Sequence, residues 1–142
     1  MHTSHIDWYI PQKIVYIGWD SHVTLETVAA VSADVCDLMS TAPGKVHLLN
    51  DARKVTTYPM NVMEIRRAMC FLDHAQLEWL VSITPPGFVA FLADVVPQMI
   101  MKTKSRAFTS LELGQAHLRY VDHTLDWNQA LDLTRLAEPH IA

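Results

Sequence analysis

The chain has 142 residues, of which 50% are apolar, 18% charged and 8% aromatic, with 11 Lys+Arg against 15 Asp+Glu. That length suits one domain burying roughly 70% of its unfolded surface, and so apolar a composition excludes intrinsic disorder. A net charge of −4 speaks against nucleic-acid binding through a basic field, and the longest strictly apolar run, Phe88 to Ala93, cannot span a bilayer. The N-terminal stretch, with Asp7 and Pro11, lacks a signal-peptide core, and Cys36 and Cys70 form no disulfide framework. A soluble, cytoplasmic domain with no nucleic-acid partner and no membrane span is therefore expected.

The pattern opens with two short strands, Ile6–Ile10 and Lys13–Trp19, rich in aromatic and β-branched residues and separated by a turn at Pro11. Trp8, Tyr16 and Trp19 read as packing residues. A helix follows from Thr24 to Thr41, capped by Thr24, with Val28, Val31, Val35 and Leu38 on one face and Pro43-Gly44 beyond its end. Val46–Asn50 has the continuous apolar character of a strand covered on both sides. It runs into a polar loop, Asp51 to Met60, longer than the usual connection and so a place to look for function.

Asn61 and Glu64 mark the start of a second helix, a capping-box variant, whose buried face is Ile65, Ala68/Met69 and Leu72. Leu77–Ile83 is the next strand. A third helix is expected from Phe88, kinked near Val96 by Pro97. Lys104–Phe108 is the last strand, and Thr109-Ser110 caps a fourth helix, Leu111 to about Val121. A weaker helical pattern occupies 124–137, capped by Thr124. The order is a β-hairpin followed by alternating helices and strands, which implies an α/β sandwich with a mainly parallel sheet, an antiparallel edge and an extra C-terminal helix. Residues 1–123 form the domain on this reading, and 124–142 a helical extension.

Three segments resemble one family. Val15–Thr24, Gly44–Asp51 and the helix ending Phe71-Leu-Asp-His74 are similar to the SpoIIAA-like branch of the STAS superfamily, with Leu77–Ile83 and Arg106–Leu113 placed like its later strands and final helix. The similarity spans about residues 6–122 and lies in topology and hydrophobic spacing. It implies a module that binds proteins or small ligands without catalysis of its own. Antagonists of anti-sigma factors in this superfamily carry a phosphorylatable Ser at the start of the helix after the long loop. Here that place holds Tyr58-Pro-Met-Asn61, with no hydroxyl at Met60 or Asn61, which puts a kinase-operated switch in doubt. Thr56 and Thr57 are hydroxyls nearby but match the motif poorly.

Motifs for catalysis are missing. The eight histidines show no His-Glu-x-x-His spacing, and there is no Cys-x-x-Cys, Gly-x-Ser-x-Gly or Walker loop. Cys36 and Cys70 read as inert small hydrophobes. No metal, no cofactor and no enzymatic activity are expected. What remains is the rim where loops leave the carboxyl ends of parallel strands, the usual ligand edge of such sheets. It would gather Asp20, His22, Asp51, Arg53, Lys54, Thr57, Met60 and Asn61, with Thr84–Gly87 beside them. The plainer reading makes Arg53 and Lys54 solvated loop charges. The sharper one has them hold an anion beside the helix start at Asn61. Two functions follow: a regulatory module binding another protein, or a carrier of a small apolar or anionic ligand lined by methionines. The C-terminal helix, too short to persist undocked, is expected to dock on a second copy and form a homodimer.

Overall fold

A computed structural model describes residues 4–59, 61–85 and 104–133. Its five strands are β1 (His5–Ile10), β2 (Ile14–Gly18), β3 (Val46–Asp51), β4 (Leu77–Ile83) and β5 (Lys104–Phe108), hydrogen-bonded in sequence order. β1 pairs with β2 antiparallel, and the rest of the sheet is parallel. The α/β class and the antiparallel edge agree with the sequence pattern. The helix expected from Phe88 and its kink at Pro97 lie outside the described residues.

The hairpin turn carries a hydrogen bond from Lys13 N–H to the Ile10 carbonyl at 3.0 Å, with Gln12 at φ 68°. Pro in the first central position and a positive φ in the second are the marks of a type II turn. α1 (Leu25–Ser40) starts at Thr24, whose hydroxyl accepts the Thr27 N–H at 3.1 Å. α2 (Val62–Ala68) starts at Asn61 in the same way, through Glu64 N–H. α3 (Leu111–Val121) starts at Ser110, through Leu113 N–H.

Right-handed crossovers between neighbouring parallel strands put successive helices on one face. α1 and the α2 region share that face. Val28, Val31, Val35 and Met39 of α1 pack with Phe71 and Leu72 over Val15, Ile17, Val46, Leu48 and Leu80. No described strand follows α3, so the crossover rule does not bind it, and it covers the opposite face. There Leu118 lies on Ile14, Leu49, Val81 and Ile83. Gly114 makes that approach possible, since a Cβ there would stand 2.5 Å from Ile83 Cδ1.

Two expectations need correction. The second helix does not run on to His74: α2 stops at Ala68, and Cys70–Asp73 form a 3-10 turn. The Phe71 amide, which a continuing helix would bond internally, donates instead to Ser32 Oγ of α1 at 3.1 Å. Nor does a helix begin at Leu125. Asp122 Oδ1 accepts Thr124 N–H and hydroxyl, Trp127–Gln129 make one 3-10 turn, and Leu131 N–H donates to the Tyr9 carbonyl at 2.7 Å. This segment closes the exposed edge of β1, where the pairing register shifts between Trp8 and Ile10. Leu125, Trp127, Ala130, Leu131 and Leu133 pack on the domain's own second core. Through residue 133, the segment expected to dock on a second copy is docked at home.

Candidate functional site

The carboxyl ends of the parallel strands align in register: Gly18 beside Asp51, Asp51 beside Ile83, Ile83 beside Phe108. The loops expected at the rim leave from this line. Asp51 is its chemical centre. With period-2 alternation, its side chain falls on the α3 face together with Tyr16. Gly18 keeps the path between them open, because a Cβ at position 18 would lie 3.0 Å from the Tyr16 hydroxyl.

Tyr16 Oη donates to Asp51 Oδ2 at 2.6 Å, a buried contact across 35 positions of sequence. Arg53 grips the same carboxylate from the solvent side, Nε to Oδ1 at 2.9 Å and Nη2 to Oδ2 at 2.8 Å, and its backbone N–H adds a third bond to Oδ1. A bidentate guanidinium and a phenol thus satisfy one buried carboxylate. Burial works to raise the Asp51 pKa, and the bonds from Arg53 and Tyr16 overcome it, leaving the group below the usual carboxylate range. Burial and then the Asp51 hydrogen bond push the Tyr16 phenol up, so it stays a donor. The Asp51 side chain is 8% exposed against 42% for Arg53. Arg53 is therefore an anchor for the loop, unlike Lys54, which stands exposed beside it.

The two rim loops hold each other. Ser21 carbonyl accepts N–H groups of Thr56 and Thr57 at 2.8 and 3.0 Å and the Thr56 hydroxyl at 3.0 Å. Val23 N–H donates to the Thr57 carbonyl, and His22 Nδ1 sits 2.7 Å from Thr57 Oγ1. His22 and Thr57 also form an isolated parallel bridge. The expected rim residues His22, Asp51, Arg53 and Thr57 thus meet in two contact groups. Asp20 N–H points to Ser4 Oγ at 3.4 Å. The Asn61 side chain caps α2 through Oδ1 and is exposed at the start of that helix. Met60 lies outside the described residues.

On the α1 face the same strand ends carry a polar line that composition and spacing do not single out. Trp19 Nε1 donates to Asn50 Oδ1, and Asn50 Nδ2 donates to Ser82 Oγ at 3.3 Å. Thr84, fully buried, has no hydrogen-bond partner for Oγ1 among the described residues. The signal in the sequence was Asn50, Ser82 and Thr84 themselves: polar residues at the ends of otherwise apolar strands. Among the described residues no group of three His, Cys, Asp or Glu side chains is placed to hold a metal, and no helix is long and apolar enough to cross a membrane.

No known protein family, curated protein or solved structure matches the chain.

Proposed function

We propose that the protein is a non-enzymatic regulatory module of STAS type that binds another protein through the loop after β3 and the outer side of α2. One observation carries this reading. The loop is long, polar and exposed, yet five hydrogen bonds fix it to the loop after β2, and Met63 of α2 stands beside its end with 59% of its surface in water. Ordering a loop in advance lowers the entropy lost on association, and an exposed apolar side chain within a polar rim is the pattern of a binding anchor. Lys54 and Thr56 on the loop and Arg67 on α2 are exposed as well. The anchoring of Arg53 on Asp51 favours a protein partner over a small anion, because the guanidinium already holds a carboxylate.

A photo-crosslinking side chain at position 63, compared with one at Tyr120 on α3, tests the proposal in extract of the native host. One discrete protein should be captured from position 63, and Lys54→Glu should reduce that capture. Equal capture from both positions would sink the reading. The carrier of a small apolar or anionic ligand is the second reading, favoured by the buried Thr84 hydroxyl beside Asn50 and Ser82. Native mass spectrometry of protein purified from its host would support it by finding a stoichiometric small molecule.

A further inference from the structure

Away from the rim, the seam between α1 and the 3-10 turn after α2 brings together three side chains far apart in sequence. Ser32, buried on α1, accepts the Phe71 N–H at 3.1 Å, which leaves its hydroxyl hydrogen for a second partner. Cys70 Sγ lies 3.1 Å from that hydroxyl. Cys36, one turn along α1 from Ser32, places its Sγ 3.6 Å from Cys70 Sγ. Both thiols are free; Cys70 is exposed and Cys36 half-buried. The reading of both as inert packing residues suits neither the exposure of Cys70 nor this contact.

We propose that Cys36 and Cys70 are a reversible redox pair, which a low-molecular-weight disulfide converts to an intramolecular disulfide pinning the 3-10 turn to α1. The roles differ with the surroundings. Cys70 reacts first, because the oxidant reaches it and the Ser32 hydroxyl can donate to its thiolate. Cys70 loses its proton to solvent and attacks one sulfur of the oxidant, forming a mixed disulfide and expelling a thiolate that takes up a proton. The Cys36 sulfur then attacks Cys70 Sγ, its proton passing to the second departing thiolate. Two electrons leave the protein sulfurs, and one small disulfide becomes two thiols. Burial, the hydrogen bond to Cys70 and the charge of that thiolate push the Cys36 thiol up. Cys36 is therefore the slower nucleophile of the two, which suits a resolving group.

Forming the bond requires the sulfurs to close by about 1.5 Å. The loop so closed runs from 36 to 70 and contains β3, the whole rim loop and α2.

The test uses the reduced full-length chain, excess oxidised glutathione, then alkylation under denaturing conditions and mass spectrometry. The wild type should lose both thiols together and two hydrogens in mass, yield a Cys36–Cys70 cross-linked peptide, and melt roughly 5–10 °C higher until dithiothreitol restores it. Cys36→Ser should instead accumulate one glutathione on Cys70. A wild-type chain that stops at a glutathione adduct with Cys36 free, or that cross-links between chains, overturns the proposal. The wild-type mass decides by itself, so the test holds even where a variant folds poorly.

Discussion

The two faces of the sheet are built by different means. The α1 face is covered by a long helix and the α2 region, and its core is mainly aliphatic: Val28, Val31, Val35, Met39, Leu48 and Leu80 pack with Phe71, and polar groups stand at Ser32 and along the strand ends at Asn50, Ser82 and Thr84. Among the described residues the α3 face has one shorter helix and an irregular strap, and its core contains polar atoms that hydrogen bonds must satisfy. Tyr16 bonds Asp51, His47 Nε2 meets Asp122 Oδ2 at 2.8 Å, and Tyr9 accepts from Gln115. Aliphatic packing stabilises without choosing one register of loops. A buried carboxylate held by four hydrogen bonds from Tyr16 and Arg53 does choose, because losing them leaves a charge desolvated. The rim loop is therefore anchored on the face that carries the buried carboxylate.

This contrast is open to direct attack. Truncation after His123 strips the strap from the α3 face, removing Leu125, Trp127 and Leu131 from the core and the stack of Arg119 on Trp127 at 4.5 Å. The expected cost is on the order of 5 kcal/mol in chemical denaturation. Light scattering should find the full-length chain monomeric. A truncated chain as stable as its parent would mean the strap is idle.

Phe71→Ala should cost about 3–5 kcal/mol, as expected for emptying a fully buried aromatic site, while leaving the rim loop ordered. Tyr16→Phe should cost less, about 1–2 kcal/mol, because Arg53 still holds Asp51. Its signature is local: the loop after β3 should become more mobile by NMR relaxation. Equal loosening of that loop in both variants would erase the distinction between the faces.

Acid should act on the α3 face. Burial raises the Asp122 pKa, but hydrogen bonds from Thr124 and His47 reverse this and bring it to about 2; Asp51 is lowered as well. Carboxylates depressed in the folded state contribute stability above their unfolded pKa of about 3.9, and lose it as pH falls through the folded value. Stability should therefore decline from about pH 4 toward pH 2. Asp122→Asn should flatten that decline, and a variant with the parent's full slope would contradict the assignment. The smallest effect is expected of Lys54→Ala, within about 0.5 kcal/mol of the parent.

Much of the architecture was legible because it is local. Thr24, Asn61 and Ser110 announce their helices, and the strands Leu77–Ile83 and Lys104–Phe108 have the bounds that pattern and turn residues suggest. What escaped depends on contacts between distant segments. The end of α2 is set by Ser32, some forty positions away, capturing the Phe71 amide. The strap is apolar like a helix face, but Asp122 and Asp126 turn the chain and Leu131 finds the edge of β1. At the rim, the long polar loop after a parallel strand marked the place. The partner of Asp51 did not show, since Tyr16 in an apolar strand reads as packing until β2 and β3 are set side by side.

Amide hydrogen exchange at Val23, Thr56 and Thr57, followed by NMR in the parent chain and in Asp51→Ala, tests most directly whether the rim is ordered in advance and anchored through Asp51. These three N–H groups bridge the two loops. Exchange slowed by 100-fold or so over an open chain is expected in the parent, with most of that protection lost in the variant while the amides of β3 and β4 stay protected. Exchange at open-chain rates in the parent, or protection untouched by the loss of Asp51, would contradict it.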